Sequence, residues 1–599
     1  MAIERCDLPA AYVWDLSYLY PSVGDWEVDM QRLEQERNAG WPRMQSFHQK
    51  LTGVEAIGSA LQEYFGTQRA ISKVYTYAHL RHDEDLSNAV YSGLYERARH
   101  MEQSFTEAAA WLASELITLD EKLWKQLFEA ASLAPYRQWL RQLHRCKTHV
   151  LPHNEARLMA MGETALASPQ KAFSALTNVD LQFGEVLDQA GQARPLTHGL
   201  YQVYMRDQDR VLRQNAFERL FEVYRQHLHV LTQLLLGDMH RQLFHARAHR
   251  YTSCLDAALS PKAIPQSVYT ELLKVVHEYA GTLHRYMELR KQVLGVETLH
   301  AYDLHVPLVQ EVHLEIPYEQ ACAWVIESVA PLGAEYQGIV RRGLLEEHWV
   351  DVEETKGKRS GAYSSGCYDS PPYILMNYRG SLQDVFTLAH EVGHSMHSYL
   401  SNRNNEYASA HYPIFVAEVA STLNEQLLFD LLLKKLQTPQ QQLYLLNQKL
   451  EEIRSTLFRQ ALFAEFELWL HQQVEAGVPV STEALNEKYQ ALCHQYYGHA
   501  LHPDQPLAWE WARIPHFYYD YYVYQYSTGL SCALALHERI LKEGQAAVED
   551  YLKFLRSGGS QYPIDLLEQA GVSIRHGEAV RTALQTFDLL VNRLAKQLL

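Results

Sequence analysis

Apolar residues recur every three or four positions along most of this chain, a period that marks helices burying one face. Such patterns run from about Trp26 to Leu151, resume near Leu200, continue from Val211 to Val296, and return in a helix beginning near Pro317. Two stretches break the period. LTNVDLQFGEVLDQAGQARPLTHG reads as a short β-like or turn segment, and KGKRSGAYSSGCYDSPPYILMNYRG, Lys356 to Gly380, has turn residues flanking a strand candidate, PYILMNY. Pro371 and Pro372 at its start predict an edge strand, because proline cannot donate to a ladder. Sparse Gly (29) and Pro (21) in 599 residues agree with a mainly α, multi-helical fold carrying a small β element. A soft boundary near residue 190 divides an N-terminal helical domain, 1–190, from a larger domain, 191–599, expected to carry the chemistry.

Composition narrows the function classes. With 47% hydrophobic and 21% charged residues the chain can bury a large core. Glu4, Arg5 and Asp7 interrupt the start, where a secretory signal needs an apolar stretch, and no later run of about 18 apolar residues follows, so a cytoplasmic protein is expected, with no membrane partner. Seven scattered cysteines without a CxxC pair point to reduced thiols rather than a disulfide framework or a cysteine zinc site. A formal charge of −17 argues against nucleic acid as a partner, since phosphate binding needs a positive footprint.

The chemistry concentrates in LAHEVGHSMHSYL, Leu388 to Leu400. Ser381 and Asp384 form a capping-box pattern ahead of it, and Leu382, Val385, Ala389, Val392, Met396 and Tyr399 follow at helical spacing, so a helix begins near Leu382. His390 and His394 then lie one turn apart, where two imidazoles can meet one ion, with Glu391 beside the first. This H-E-x-x-H pattern suits zinc: the histidines supply two nitrogen ligands, and the Glu can take a proton from the attacking water without being a ligand. A second pair, His245 and His249 in HARAH, has the same spacing but carries arginines and no Glu in the base position, and reads as surface or structural.

A catalytic zinc wants a third protein ligand. HYPIFVAEVASTLNEQLLFDLL predicts a second helix with Glu418 and Glu425 on one face, and either could serve. Glu418, nearer the helix start, is the expected ligand, with Glu425 hydrogen-bonding a ligand imidazole. His397 is expected to be a structural neighbour.

His390-Glu391-Val-Gly-His394, the spacing to Glu418 in FVAEVAST, and the lead-in GAYSSG…PPYILMNY resemble the zinc oligopeptidases related to thimet oligopeptidase, most closely the oligoendopeptidase F branch. The resemblance extends through WDLSYLYPS, LTNVDLQF and IPHFYYDYYVYQYSTG, nearly the whole chain. It implies a zincin-type metallopeptidase with a deep substrate channel that cleaves internal bonds of short unstructured peptides. It also implies Zn²⁺, one per chain, held by His390, His394 and Glu418, with Glu391 as general base. Transition-state donors would come from the segment His516 to Tyr526, with His516, Tyr521 and Tyr524 the expected set, although the spacing from His516 departs from the thimet-type pattern. An oxyanion forming at a peptide carbonyl calls for such donors. The PYILMNY strand is expected to hold substrate main chain by β-augmentation. Two other readings remain at this point, a zinc carboxypeptidase-type exopeptidase and a non-catalytic helical peptide-binding protein.

Overall fold

A computed structural model describes residues 3–309, 312 and 314–599, apart from the side chain of His153. Helices take up 72% of the chain, and no described helix is long and apolar enough to cross a membrane. Contacts divide the chain into two compact units built from discontinuous segments. One holds Met1–Val150, His313–Lys435 and Leu536–Val572; the other holds Leu151–Val312, Leu436–Ala535 and Ser573–Leu599. These units do not follow a division at residue 190, which falls in the turn between strands β1 (Glu185–Leu187) and β2 (Ala193–Pro195), an antiparallel hairpin.

The first unit packs the long helices Val54–Glu84 and Ala89–Ala109 around a core that includes Trp26, Met30, Ile57, Leu61, Tyr77 and Met101. Trp26 Nε1 donates to the Val74 carbonyl at 2.8 Å, so the buried indole keeps a partner. This unit also holds a three-stranded sheet of β3 (Val350–Asp351), β4 (Tyr363–Ser365) and β5 (Tyr373–Leu375), in the order β3-β5-β4. The PYILMNY segment is therefore the central strand and not an edge. It pairs in parallel with β3 and antiparallel with β4, and Met376 N–H and Tyr378 N–H extend the parallel ladder to Asp351 and Val352. The prolines do not prevent this because they precede the ladder, which starts at Tyr373. The edges are β3 and β4, the latter within GAYSSG.

The second unit is helical apart from the β1–β2 hairpin among the described residues. Its core contains charge as well as apolar surface: Glu451 is bound by Arg290 at 3.0 Å, Arg454 at 2.7 Å and the Tyr286 hydroxyl at 2.6 Å. Burial alone would raise the Glu451 pKa, but the two guanidiniums outweigh it and hold it down at about 2.

Candidate active site

The helix that carries the motif starts as its sequence predicts. Ser381 caps Leu382–Asn404, its hydroxyl accepting from Asp384 N–H at 3.2 Å while the Asp384 carboxylate accepts from Ser381 N–H at 2.9 Å. Leu382, Val385, Leu388, Val392 and Met396 bury one face. The following helix, Ile414–Lys435, folds back against it. The two approach so closely at Gly393 that a Cβ there would sit 2.5 Å from Ser421 Cα and 2.6 Å from the Ala420 carbonyl oxygen. Asn424 bridges the helices by donating to the Ala389 carbonyl at 3.3 Å.

That approach brings His390, His394 and Glu418 together. His390 Nε2 and His394 Nε2 are 3.2 Å apart, and Glu418 Oε2 lies 3.3 Å from the first and 3.5 Å from the second. Ligands about 2.0–2.1 Å from a tetrahedral zinc stand about 3.3–3.4 Å from one another, so these three atoms already have the separations that one ion requires. The other nitrogen of His390 meets the Glu425 carboxylate, which orients the ring with Nε2 toward Glu418. The Ser421 hydroxyl donates to Glu418 Oε2 at 3.0 Å. Burial works against a charged His390, yet Glu418 and Glu425 outweigh it and its pKa lies well above the ordinary value. Glu418 is likewise disfavoured by burial but held far below the usual carboxylate range by the two imidazoles.

Glu391 is 7% exposed, and burial raises its pKa against the pull of the neighbouring histidines. Its carboxylate accepts from the Ser364 backbone N–H on β4, and the Ser364 and Ser395 hydroxyls are 2.8 Å apart. The base position is thus tied to this edge strand. His397 is buried and neutral, its pKa pushed down to about 3 by burial, and its ring stacks on Tyr412 with centroids 3.6 Å apart, in keeping with a structural neighbour.

The Tyr-rich segment lies in the other unit and is not one helix. A short 3-10 turn, Pro515–Tyr518, leads into a corner where Asp520 and Tyr521 have φ of 33° and 51°, and a helix starts only at Tyr524. The corner turns Tyr521 inward, where it is 2% exposed and stacks on His471 at 4.6 Å; Tyr524 is 1% exposed and packs on Tyr269 at 5.1 Å. Both are core residues, which corrects their expected place among the donors. The tyrosines gathered around His516 are Tyr519, Tyr522 and Tyr526, with Tyr526 Oη 3.5 Å from His516 Nε2. Spacing alone did not separate the two sets, because the left-handed corner resets the helical count. Ser364, Ser421 and Gly393 were also missed, although a glycine inside a helical motif is a readable sign of close approach.

Known proteins resemble the chain over nearly its whole length. The model of peptidase family M3 matches residues 203–586, and the model described as oligopeptidase F matches residues 115–183. The chain is 39% identical over 587 residues to oligopeptidase PepF of Bacillus subtilis, covering 98% of this chain and 87% of that protein. It is 34% identical over 597 residues to the plasmid-encoded oligoendopeptidase F of Lactococcus lactis subsp. cremoris, covering 100% and 98%. The crystal structure of oligoendopeptidase-F from Enterococcus faecium superposes with a TM-score of 0.73 at 33% identity, over 95% of this chain and 99% of that one. The chain belongs to peptidase family M3, in the oligoendopeptidase F branch, and is an oligopeptide-cleaving metalloendopeptidase.

Proposed function

We propose that His390, His394 and Glu418 hold one zinc ion and that Glu391 is the general base for hydrolysis of internal bonds in short, unstructured peptides. The observation that carries this is the triangle of two imidazole nitrogens and one carboxylate oxygen with edges of 3.2 to 3.5 Å. A zinc ion held there supplies Lewis acidity, making a water more acidic and a carbonyl more electrophilic. Glu391 takes the proton of the attacking water and delivers it to the departing amine, and its raised pKa suits both halves of that transfer. Glu425 fixes the tautomer and orientation of His390.

Substrate main chain pairs with the Tyr363–Ser365 edge rather than with PYILMNY, which is already paired on both sides. Main-chain pairing makes little demand on side chains, so broad specificity follows. Family resemblance assigns the oxyanion donors to the segment 516–526, within which His516, Tyr522 and Tyr526 form one cluster. A cytoplasmic setting fits the seven free cysteines, and the acidic balance makes peptides rather than nucleic acid the partners.

An internally quenched peptide of about eight residues, blocked at both ends, tests the reading. Cleavage that a chelator stops and zinc restores is expected; an exopeptidase would leave this peptide intact. Glu391→Gln should keep its zinc and lose about a hundredfold or more in rate, and near-normal hydrolysis by that variant would remove Glu391 as the base.

A further inference from the structure

A second group of ligand-type side chains lies in the other unit. The helix Arg459–Glu475 carries His471 and Glu475 one turn apart, and Cys254, at the start of Cys254–Leu259, reaches the same place. Cys254 N–H donates to Glu475 Oε1 at 2.7 Å, and its thiol hydrogen-bonds the same carboxylate. Ligand atoms of all three residues fall within 4.8 Å of one another. His471 is completely buried, yet neither of its ring nitrogens has a hydrogen-bond partner among the described residues. A neutral imidazole carries one donor and one acceptor, so a fully buried ring that satisfies neither is unusual. Tyr521 holds the ring by stacking on it, with centroids 4.6 Å apart.

We propose that Cys254, His471 and Glu475 form a second metal site, which takes one zinc ion. The three ligand atoms, within 4.8 Å of one another, would draw in around an ion with bonds of about 2.0–2.3 Å to each ligand. Charge supports the choice of a divalent ion, because a thiolate and a carboxylate neutralise it and leave no net charge in a buried place. Binding breaks the Cys254 S–H bond, sends the proton to solvent and forms an S–Zn bond, while His471 and Glu475 bind through existing lone pairs. Sulfur and nitrogen donors select zinc over magnesium or calcium. The ion would pin together two helices whose ligands, Cys254 and Glu475, are 221 residues apart. A third group, His300, His502 and Asp504, lacks this argument: both imidazoles already bond one Asp504 oxygen, at 2.7 and 3.1 Å.

Metal analysis of the zinc-loaded full chain tests the proposal, together with near-ultraviolet spectra after cobalt(II) substitution. Two ions per chain are expected in the wild type and one in Cys254→Ser. A thiolate-to-cobalt charge-transfer band should appear in the wild type, persist in His390→Ala and vanish in Cys254→Ser, since the His390 site contains no sulfur. A wild-type cobalt protein without that band overturns the proposal whatever the variants do. So does an equal metal count in the wild type and Cys254→Ser.

Discussion

His390–His394 and His245–His249 have the same spacing, the first pair inside a helix and the second across a helix end, where His249 is the C-cap, and their surroundings give them different uses. At the first pair the rings meet edge to face, with centroids 4.8 Å apart and Nε2 atoms 3.2 Å apart, and a carboxylate from the neighbouring helix closes the triangle. At the second the rings lie nearly parallel at 6.4 Å, and His245 has a half-exposed Glu163 at 3.1 Å. The base position holds Glu391 in one and Ala246 in the other; the position before the second histidine holds Gly393 in one and Ala248 in the other. Histidine spacing is therefore the least informative part of the motif. What makes the pair a site is a second helix close enough to supply an acid, and the glycine that permits it.

The largest expected difference follows directly. His394→Ala should abolish both zinc binding at this site and peptide cleavage, because two remaining ligands cannot hold the ion. His245→Ala should leave cleavage unchanged and shift stability by no more than about 0.5 kcal/mol. Metal content and rate measured side by side on the two variants check this, and an equal loss in both would break the comparison.

The tyrosines extend it to hydroxyls. Tyr526→Phe is expected to lower kcat by roughly a hundredfold, the usual effect of removing one oxyanion donor. Tyr524→Phe, with its ring in the core, should leave kcat within a fewfold and alter thermal stability instead. Steady-state kinetics with melting curves separate the two outcomes, and a reversed pattern would return the donor role to Tyr524.

Glu425 tests how far the site depends on orientation. Glu425→Gln keeps an acceptor beside His390 but removes its charge, and zinc affinity should fall by about 10- to 100-fold with the fold intact. Competition with a chromophoric chelator reads this; unchanged affinity would show that Glu418 alone orients the ring.

How much of this was legible in the sequence depends on whether the signal was local. The cap at Ser381, the two helices and the paired histidines are written in spacings of three to seven residues, and each sits where it was read. The strand order was not legible. Whether PYILMNY lies at an edge or in the centre depends on β3 and β4, whose two- and three-residue strands have too little pattern to detect, and the prolines pointed to the wrong place because they lie just outside the ladder. The division of the chain was hidden for a related reason: residues 313–435 pack with the first 150, and no composition change marks a return of that kind. Tyr521 and Tyr524 were misplaced because counting along a helix fails across a corner with positive φ.

Gly393 supplies the finest test, since it asks whether the approach of the second helix, rather than the ligands themselves, makes the site. Every proposed ligand and the proposed base survive in Gly393→Ala, and alanine is the better helix former, so in isolation this helix would gain stability by about 1 kcal/mol. Against that, the added methyl must occupy space 2.5 Å from Ser421 Cα and 2.6 Å from the Ala420 carbonyl oxygen, both backbone atoms that can yield only if the helices separate. Overpacking of this kind costs about 1–3 kcal/mol, so a net loss in melting temperature is expected. Separation also carries Glu418 away from His390 and His394, so zinc affinity should weaken although no ligand has changed. The matching change at the other pair, Ala248→Gly, should cost only the helix propensity of one alanine and leave metal content untouched. If Gly393→Ala bound zinc as tightly as the wild type, the close approach would be a packing feature, and the ligand set alone would account for the site.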